Sequence, residues 1–366
     1  MAKLTDATLE NADLRKSILT KAEVQERNPI ASMAVNPIDN RLAVSGHDRT
    51  IKIWDIDKGI PVMTLKGHTD SVIDVVFSPT GQELASAGWD GAIKIWDANT
   101  GTLRTTLQGH FGRVSSIAYS PDCRYLISGG DDGTVRIWNL LELVEVARLE
   151  QLAEVTSVAI DSKSTFIAGG TREGVDVWDF TLKKRIFNLS KGLGGWQHTV
   201  FSPNGDFLIV GGAEASPRII EIATWKTKIL WKPKTFVRRG SRRSETYYQL
   251  ACDPQGEKLI SGTFSGEIPV WHIPFNKEVL HIKHPVKGGK VESVIFDSSG
   301  HFVATGDYDG KIYIWSAQTG DCIKLLETKM NCKGTKIKGA KGLGVKAPTG
   351  DKTLGEWLIE RGAVLE

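Results

Sequence analysis

Residues 88–97 read GWDGAIKIWD, residues 46–55 read GHDRTIKIWD, and residues 130–139 read GDDGTVRIWN. Three near-copies of one decapeptide in the first 140 residues mark an internal repeat, and the tryptophan of each fixes its frame. Trp54, Trp96, Trp138, Trp178, Trp271 and Trp315 fall at the same place, with first spacings of 42, 42 and 40 residues. The interval of 93 residues from Trp178 to Trp271 is two units long, and Ile220 of SPRIIEI stands where the missing tryptophan belongs. Seven units therefore run from about residue 30 to residue 328.

Each unit divides alike. In the second, SVIDVVF alternates apolar and polar residues, SPTGQ is a turn, and ELASAG is a second alternating run. WDG is another turn, AIKIWD a third run and TLRTTL a fourth. Period-two apolar runs bounded by Gly, Pro, Asn and Asp predict antiparallel strands. A four-stranded sheet of this size cannot cover both of its faces. Stacking successive sheets covers them, and closing the stack into a ring leaves no end unit exposed.

Gly67-His68, the SPTG turn and Trp96-Asp97 together resemble the WD40 repeat, over about 300 of the 366 residues. The resemblance implies an all-β, seven-bladed β-propeller. It also implies a hydrogen-bonded set of four side chains in each intact blade: His68, Ser86, Asp90 and Trp96 in blade two, and His110, Ser128, Asp132 and Trp138 in blade three. The physical reading agrees. A buried indole N–H needs an acceptor, a hydroxyl can take it and donate onward to imidazole, and a carboxylate can fix the turn and the imidazole tautomer. Serine, histidine and aspartate are also the composition of a hydrolase triad. Recurrence in separate blades, with each serine tied to a tryptophan, favours a structural role.

The other blades depart from the set. Blade one has Asp48 and Trp54, with Val44 in the serine place; blade four has Ala168 and Arg172 in the serine and aspartate places. Blade five has Val210, Glu214 and Ile220, while blade six keeps Ser261 and Trp271 with Ser265 for the aspartate. Blade seven has Thr305, Asp309 and Trp315, with Lys287 near the histidine place. Blades four to six are expected to be the looser half of the ring.

A shorter period lies outside the propeller. Residues 2–26 read in fives as AKLTD, ATLEN, ADLRK, SILTK and AEVQE, and MNCKG, TKIKG and AKGLG follow at 330–344. A strict five suits neither helix nor strand. It resembles the pentapeptide repeat, which implies a square β-helix, here one composite built from both ends. An amphipathic helix is the alternative for the first stretch, which is rich in helix formers. TLGEWLIERG (353–362) has capping-box spacing at Thr353 and Glu356 and reads as a C-terminal capping helix. The expected organisation is residues 1–26, a propeller over 30–328, and a return segment with its helix over 329–366.

Composition bounds the function. Net charge is +3, too small to imply a nucleic-acid partner, and the four scattered cysteines form no CxxC pair. The start has no apolar run of a signal peptide, and no stretch approaches 18 apolar residues, so the expectation is a cytoplasmic protein without a membrane partner. P-loop, HExxH and nucleophile-elbow motifs are absent from the sequence, so no cofactor, metal or catalytic residue is assigned. Among inner-strand acids only Asp74 and Glu292 are placed to serve a metal-dependent propeller hydrolase. The connection KTFVRRGSRRSETYY (234–248) carries Arg238, Arg239, Arg242 and Arg243, suited to phosphate or carboxylate groups. The leading expectation is a non-enzymatic scaffold or adaptor that presents a propeller face to protein or peptide partners. Combined with pentapeptide units it looks like bacterial, particularly cyanobacterial, signalling proteins. Nucleic-acid or anionic-ligand binding through the arginine loop is the second reading, and the hydrolase a third.

Overall fold

A computed structural model describes residues 8–10, 28–39, 41–151, 153–190, 197–212, 215–229, 247–263, 265–274, 277–285, 289–326, 336–338 and 364–365. The chain forms two compact units, Asn28–Leu326 and residues 1–27 with 327–366.

Asn28–Leu326 contains seven four-stranded antiparallel sheets among the described residues, each taking its strands in chain order. The first strands are Ile30–Val35, Val72–Phe77, Val114–Tyr119, Val155–Ile160, Gln197–Phe201, Tyr247–Cys252 and Val291–Phe296. Each lies against the first strand of the next blade, and the last lies against the first, so the ring is closed. The fourth strands, such as Val144–Glu150, alternate exposed and half-buried residues and form the outer rim.

The tryptophan frame is an actual packing register. Leu42, Leu84, Leu126, Ile167, Leu259 and Val303 pair with the six framing tryptophans, and Leu208 pairs with Ile220 in the same way. Ile220 is fully buried, so an aliphatic residue fills the tryptophan place of blade five. Each framing residue packs against a neighbouring blade: Trp96 joins Ile51, Ile53 and Leu65, and Trp138 joins Ile93, Ile95 and Leu107. At the closing seam, Ile30, Met33 and Trp54 of blade one pack with Ala304, Ile312, Ile314 and Leu326 of blade seven. Lys324 adds bonds to the carbonyls of Ile56 and Asp57 at 2.9 and 2.6 Å.

In the smaller unit, Thr8–Glu10 pairs in parallel with Lys336–Lys338, which pairs in parallel with Val364–Leu365. Both ends of the chain thus share one sheet. The remaining pentapeptide units and the helix expected over 353–362 lie outside the described residues. Among the described residues no helix is long and apolar enough to cross a membrane.

Candidate functional site

In this fold the turn between the second and third strands of a blade and the loop entering its first strand open on the same end of the ring. The four-residue sets join these two loops. In blade two, Trp96 Nε1 donates to Ser86 Oγ at 2.8 Å, Ser86 Oγ lies 2.8 Å from His68 Nε2, and His68 Nδ1 lies 2.9 Å from Asp90 Oδ2. Asp90 also accepts the Thr69 N–H at 2.9 Å and the Ala92 N–H at 3.2 Å. In blade three, the matching distances are 2.8 Å for Trp138 to Ser128, 2.7 Å for Ser128 to His110 and 3.0 Å for His110 to Asp132. One protonation pattern satisfies each set: indole to hydroxyl, hydroxyl to Nε2, and Nδ1–H to carboxylate.

The charges fit that pattern. Burial pushes the Asp90 carboxyl up, but the bonds from His68 and the Thr69 N–H outweigh it and hold it at about 2. Asp132 is likewise held well below the carboxylate range against burial, by Thr134, the Phe111 N–H and His110. Burial keeps His110 below its ordinary value against the pull of Asp132. Glycine admits the rings: a Cβ on Gly88 would stand 2.7 Å from His68 Nδ1, and one on Gly130 would stand 2.8 Å from His110 Nδ1. Ser86 and Ser128 are 0% exposed, with their hydroxyls committed to tryptophan and histidine. Such a hydroxyl cannot meet a substrate, and the geometry is that of girders. Blade three is reinforced further, since buried Arg136 donates to Asp132 at 2.9 Å and to Glu145 at 2.7 Å.

The other blades differ as their residues dictate. With Val44 in the serine place, the buried Trp54 Nε1 has no partner among the described residues. Asp48 instead accepts from Lys52 and Thr50, at 2.8 Å each. Arg172 of blade four pairs with Glu154 at 3.6 Å, and Ser261 of blade six donates to the Gly262 carbonyl at 3.1 Å. Glu214 of blade five lies outside the described residues. Blade seven corrects the sequence reading. Trp315 donates to Thr305 at 2.9 Å as expected, and a histidine is present after all: His284 Nε2 lies 3.3 Å from Asp307. Asp307 also accepts the backbone N–H groups of Asp309 and Lys311, at 2.9 and 2.8 Å. The aspartate stands two residues before Asp309 and the histidine three residues before Lys287, which lies outside the described residues.

A second polar series, missed in sequence, runs along the channel wall, with side chains from the inner strands of blades one, two, three, four and six. Asp74 accepts from Ser32 Oγ of blade one at 2.8 Å and from the Ile117 N–H of blade three at 2.9 Å. Ser116 accepts the Val158 N–H at 3.1 Å, Ser157 the Thr199 N–H at 3.0 Å, and Gln249 the Val294 N–H at 3.0 Å. These side chains stitch blade to blade. Burial raises Asp74 to about 6 against its hydrogen bonds. The carboxylate that a hydrolase would need is thus occupied by two neighbouring blades, while Glu292 of blade seven is raised by burial with Lys290 opposing. Among the described residues no group of three His, Cys, Asp or Glu side chains is arranged to hold a metal ion.

On the loop end, aromatic and cationic groups gather beside the girders. His47 meets the edge of Trp89 with centroids 5.4 Å apart, and the Arg113 guanidinium lies over Trp89 at 4.0 Å. Phe111 is 80% exposed, yet its N–H is bound to Asp132 at 3.0 Å. Tyr308 in blade seven lies under the Lys290 ammonium at 4.9 Å. Trp89 precedes Asp90 and Phe111 follows His110, so both ride on loops fixed by a girder. Arg238, Arg239, Arg242 and Arg243 lie outside the described residues.

Residues 20–55, 59–97, 101–139 and 277–316 match the family profile described as "WD domain, G-beta repeat". Blades four and five and most of blade six fall between the third and fourth matches, the region without intact girders. Over 190 residues, 51% of this chain, the sequence is 22% identical to WD repeat-containing protein AAC3 of Dictyostelium discoideum, covering 37% of that protein. Over 169 residues, 45% of this chain, it is 25% identical to a guanine nucleotide-binding protein subunit beta of Zea mays and 24% identical to one of Oryza sativa subsp. japonica, covering 44% of each. The matches span less than half the length of these relatives.

Proposed function

We propose that this chain, whose WD40 repeats close into a seven-bladed propeller, is a non-enzymatic protein-binding platform. Its docking face is the loop end that carries His47, Trp89, Phe111 and Arg113. The observation behind this reading is that the exposed Phe111 and half-buried Trp89 stand on loops held by His110–Asp132 and His68–Asp90. An exposed aromatic on a fixed loop loses little entropy when a partner covers it, and aromatics with arginine are the residues that dominate protein interfaces. Relatedness to a guanine nucleotide-binding protein subunit beta supports a role in assembly with other proteins. The test is affinity capture with wild type and with a Trp89→Ala, Phe111→Ala double variant of unchanged circular dichroism. Partners lost from the variant support the platform; an unchanged set places docking elsewhere.

The terminal fives belong to the same proposal, as one pentapeptide-type coil drawn from both ends. The register supports it. Leu9 pairs with Ile337, and both are the apolar residue of their five. Arg238, Arg239, Arg242 and Arg243 form a second, anionic-ligand contact in this reading. It predicts binding that weakens steeply with salt and is lost when all four become alanine.

A further inference from the structure

Around the outer rim, the middle of a fourth strand faces the turn after the third strand of the next blade. Register fixes the strand residue: Met63, Thr105, Ala147, Phe187, Leu280 and Lys324 pair with the same third-strand position of their blades. The turn supplies a residue with a left-handed backbone, φ 54–79° at Gly59, Gly101, Leu143, Lys183, Trp225 and Gly320. Where the strand residue is long, the turn residue is glycine. A Cβ on Gly101 would stand 2.4 Å from Met63 Sδ, and one on Gly59 or Gly320 would stand 3.2 Å from Lys324 Cε or Leu280 Cδ1. In blade five Trp225 instead stacks on Phe187 at 5.0 Å, and in blade four Lys183 lies over Phe180 at 3.8 Å. Between blades two and three neither residue fills the space. Thr105 is short, and Leu143, in a conformation that leucine rarely adopts, stays 48% exposed. With Ile95, Leu140, Glu83 and Arg104 they line a hollow of about 200 Å³.

A cavity of about 150 Å³ holds a benzene ring, so this hollow has room for one leucine-sized side chain. Ile95, Leu140 and Leu143 give it an apolar lining, and the adjoining Leu141 is 89% exposed. Its lip is acidic. Glu83 at 2.5 Å and Asp97 at 3.0 Å share the single Arg104. Glu142, exposed between Leu141 and Leu143, adds a third carboxylate, while Arg124 is offset by Asp122 at 3.9 Å. We propose that this hollow is a second protein-docking site, which takes a peptide segment that sets a leucine-sized aliphatic side chain against Ile95, Leu140 and Leu143 and a flanking lysine or arginine beside Glu83 and Glu142. The aliphatic anchor covers apolar surface that water now wets, and the basic neighbour answers the excess of carboxylates and so selects among aliphatic segments. A leucine held left-handed weakens the free turn, and an occupant gives its side chain the cover that Trp225 already has. The site lies on residues other than His47, Trp89, Phe111 and Arg113, so it goes beyond the loop-end platform.

The probe is a synthetic peptide, Lys-Leu-Lys flanked by glycines and blocked at both ends, titrated into the full-length chain with isotope-labelled isoleucine and leucine methyl groups. Saturable shifts are expected at Ile95, Leu140 and Leu143. A Glu-Leu-Glu peptide should bind at least threefold more weakly, and a Lys-Ala-Lys peptide at least tenfold more weakly. Thr105→Met gives blade two the residue that Met63 supplies in blade one, fills the hollow and should abolish the response to the peptide. Glu142→Lys changes an exposed residue, leaves the core alone and should remove the preference for Lys-Leu-Lys over Glu-Leu-Glu. Silent methyls with the Lys-Leu-Lys peptide overturn the proposal, as does equal binding of Glu-Leu-Glu or undiminished binding to Thr105→Met. The Trp89→Ala, Phe111→Ala variant is expected to bind the peptide unchanged, which separates this site from the platform. Lost binding in that variant would put the peptide on the loop end and overturn the rim site.

Discussion

Blades two and one share the sequence IKIWD and almost nothing of its chemistry. In blade two the indole of Trp96 begins a chain through Ser86 and His68 to Asp90, and every link has a partner. In blade one Val44 replaces the serine, and Trp54 buries the same indole without an acceptor among the described residues. Both tryptophans are almost wholly buried, so the apolar part of the repeat works equally in each. The repeat therefore consists of two separable layers. Its hydrophobic frame builds the ring, and its polar chain fixes the two loops at one end. A blade can lose the second layer and remain a blade, as blade five does with Ile220. What it loses is a fixed loop, and that decides which part of the face can present aromatic residues at low entropic cost.

The largest expected effect follows from removing the middle of an intact chain. Ser86→Ala leaves both the Trp96 N–H and His68 Nε2 without partners in a buried site, at a cost of about 2–5 kcal/mol. Ser261→Ala in blade six removes one hydroxyl donor to a carbonyl and should cost about 0.5–1.5 kcal/mol. Urea denaturation followed by tryptophan fluorescence measures both. Equal losses would show that the chain contributes nothing beyond its separate bonds. The same contrast predicts slower amide exchange in blades two and three than in blades four to six, and uniform protection would dissolve it.

Next in size are two carboxylates of blade two whose environments push them in opposite directions. Asp90, held at about 2 when folded, contributes stability above its ordinary value of 3.8 that is lost as pH falls toward 2. Asp74, raised to about 6, does the reverse. The folded state then holds the proton more tightly than the unfolded chain, so its contribution is greatest below about 3.8 and is lost as pH rises through 6. Each is worth about 2–3 kcal/mol across its window, because a tenfold change in proton affinity corresponds to about 1.4 kcal/mol. Asp74→Asn should flatten the stability profile between pH 4 and 6, and Asp90→Asn that between pH 2 and 4, which titrated thermal unfolding reads directly. If Asp74→Asn leaves the upper slope intact, the inter-blade carboxylate is not the titrating group.

The frame was legible in the sequence because it depends on period and size alone. Tryptophan spacing located every blade, and Ile220 fell into register because volume, not indole chemistry, is what the core demands there. The girders of blades two and three were legible because the family resemblance placed all four residues and the loops keep their length. Blade seven failed for the opposite reason. Its leading loop runs KHPVKGGK where blade two has KGHTDS, so the histidine follows the preceding strand by one residue, not two, and meets Asp307. The stitches between inner strands were not legible either. A serine in an alternating strand looks the same whether it meets water or the N–H of a residue about 42 positions away, and only ring closure decides which.

The smallest effect is the most direct repair of the comparison. Val44 pairs with Lys52 in the register where Ser86 pairs with Lys94 and Thr305 with Tyr313. Threonine has nearly the volume of valine, and blade seven already uses it, with Trp315 donating to Thr305 at 2.9 Å. Val44→Thr should therefore give the Trp54 N–H an acceptor without overpacking. The bond contributes about 1 kcal/mol net, and burying a new hydroxyl proton offsets part of it, so a gain of about 0.5 kcal/mol is expected. The control is Trp54→Phe, which removes the donor. Val44→Thr must gain in the tryptophan background and lose in the phenylalanine background, since there the hydroxyl is buried with nothing to accept. A gain in both would mean that the threonine acts through the strand itself, and that the unpaired indole of blade one is not what distinguishes it from blade two.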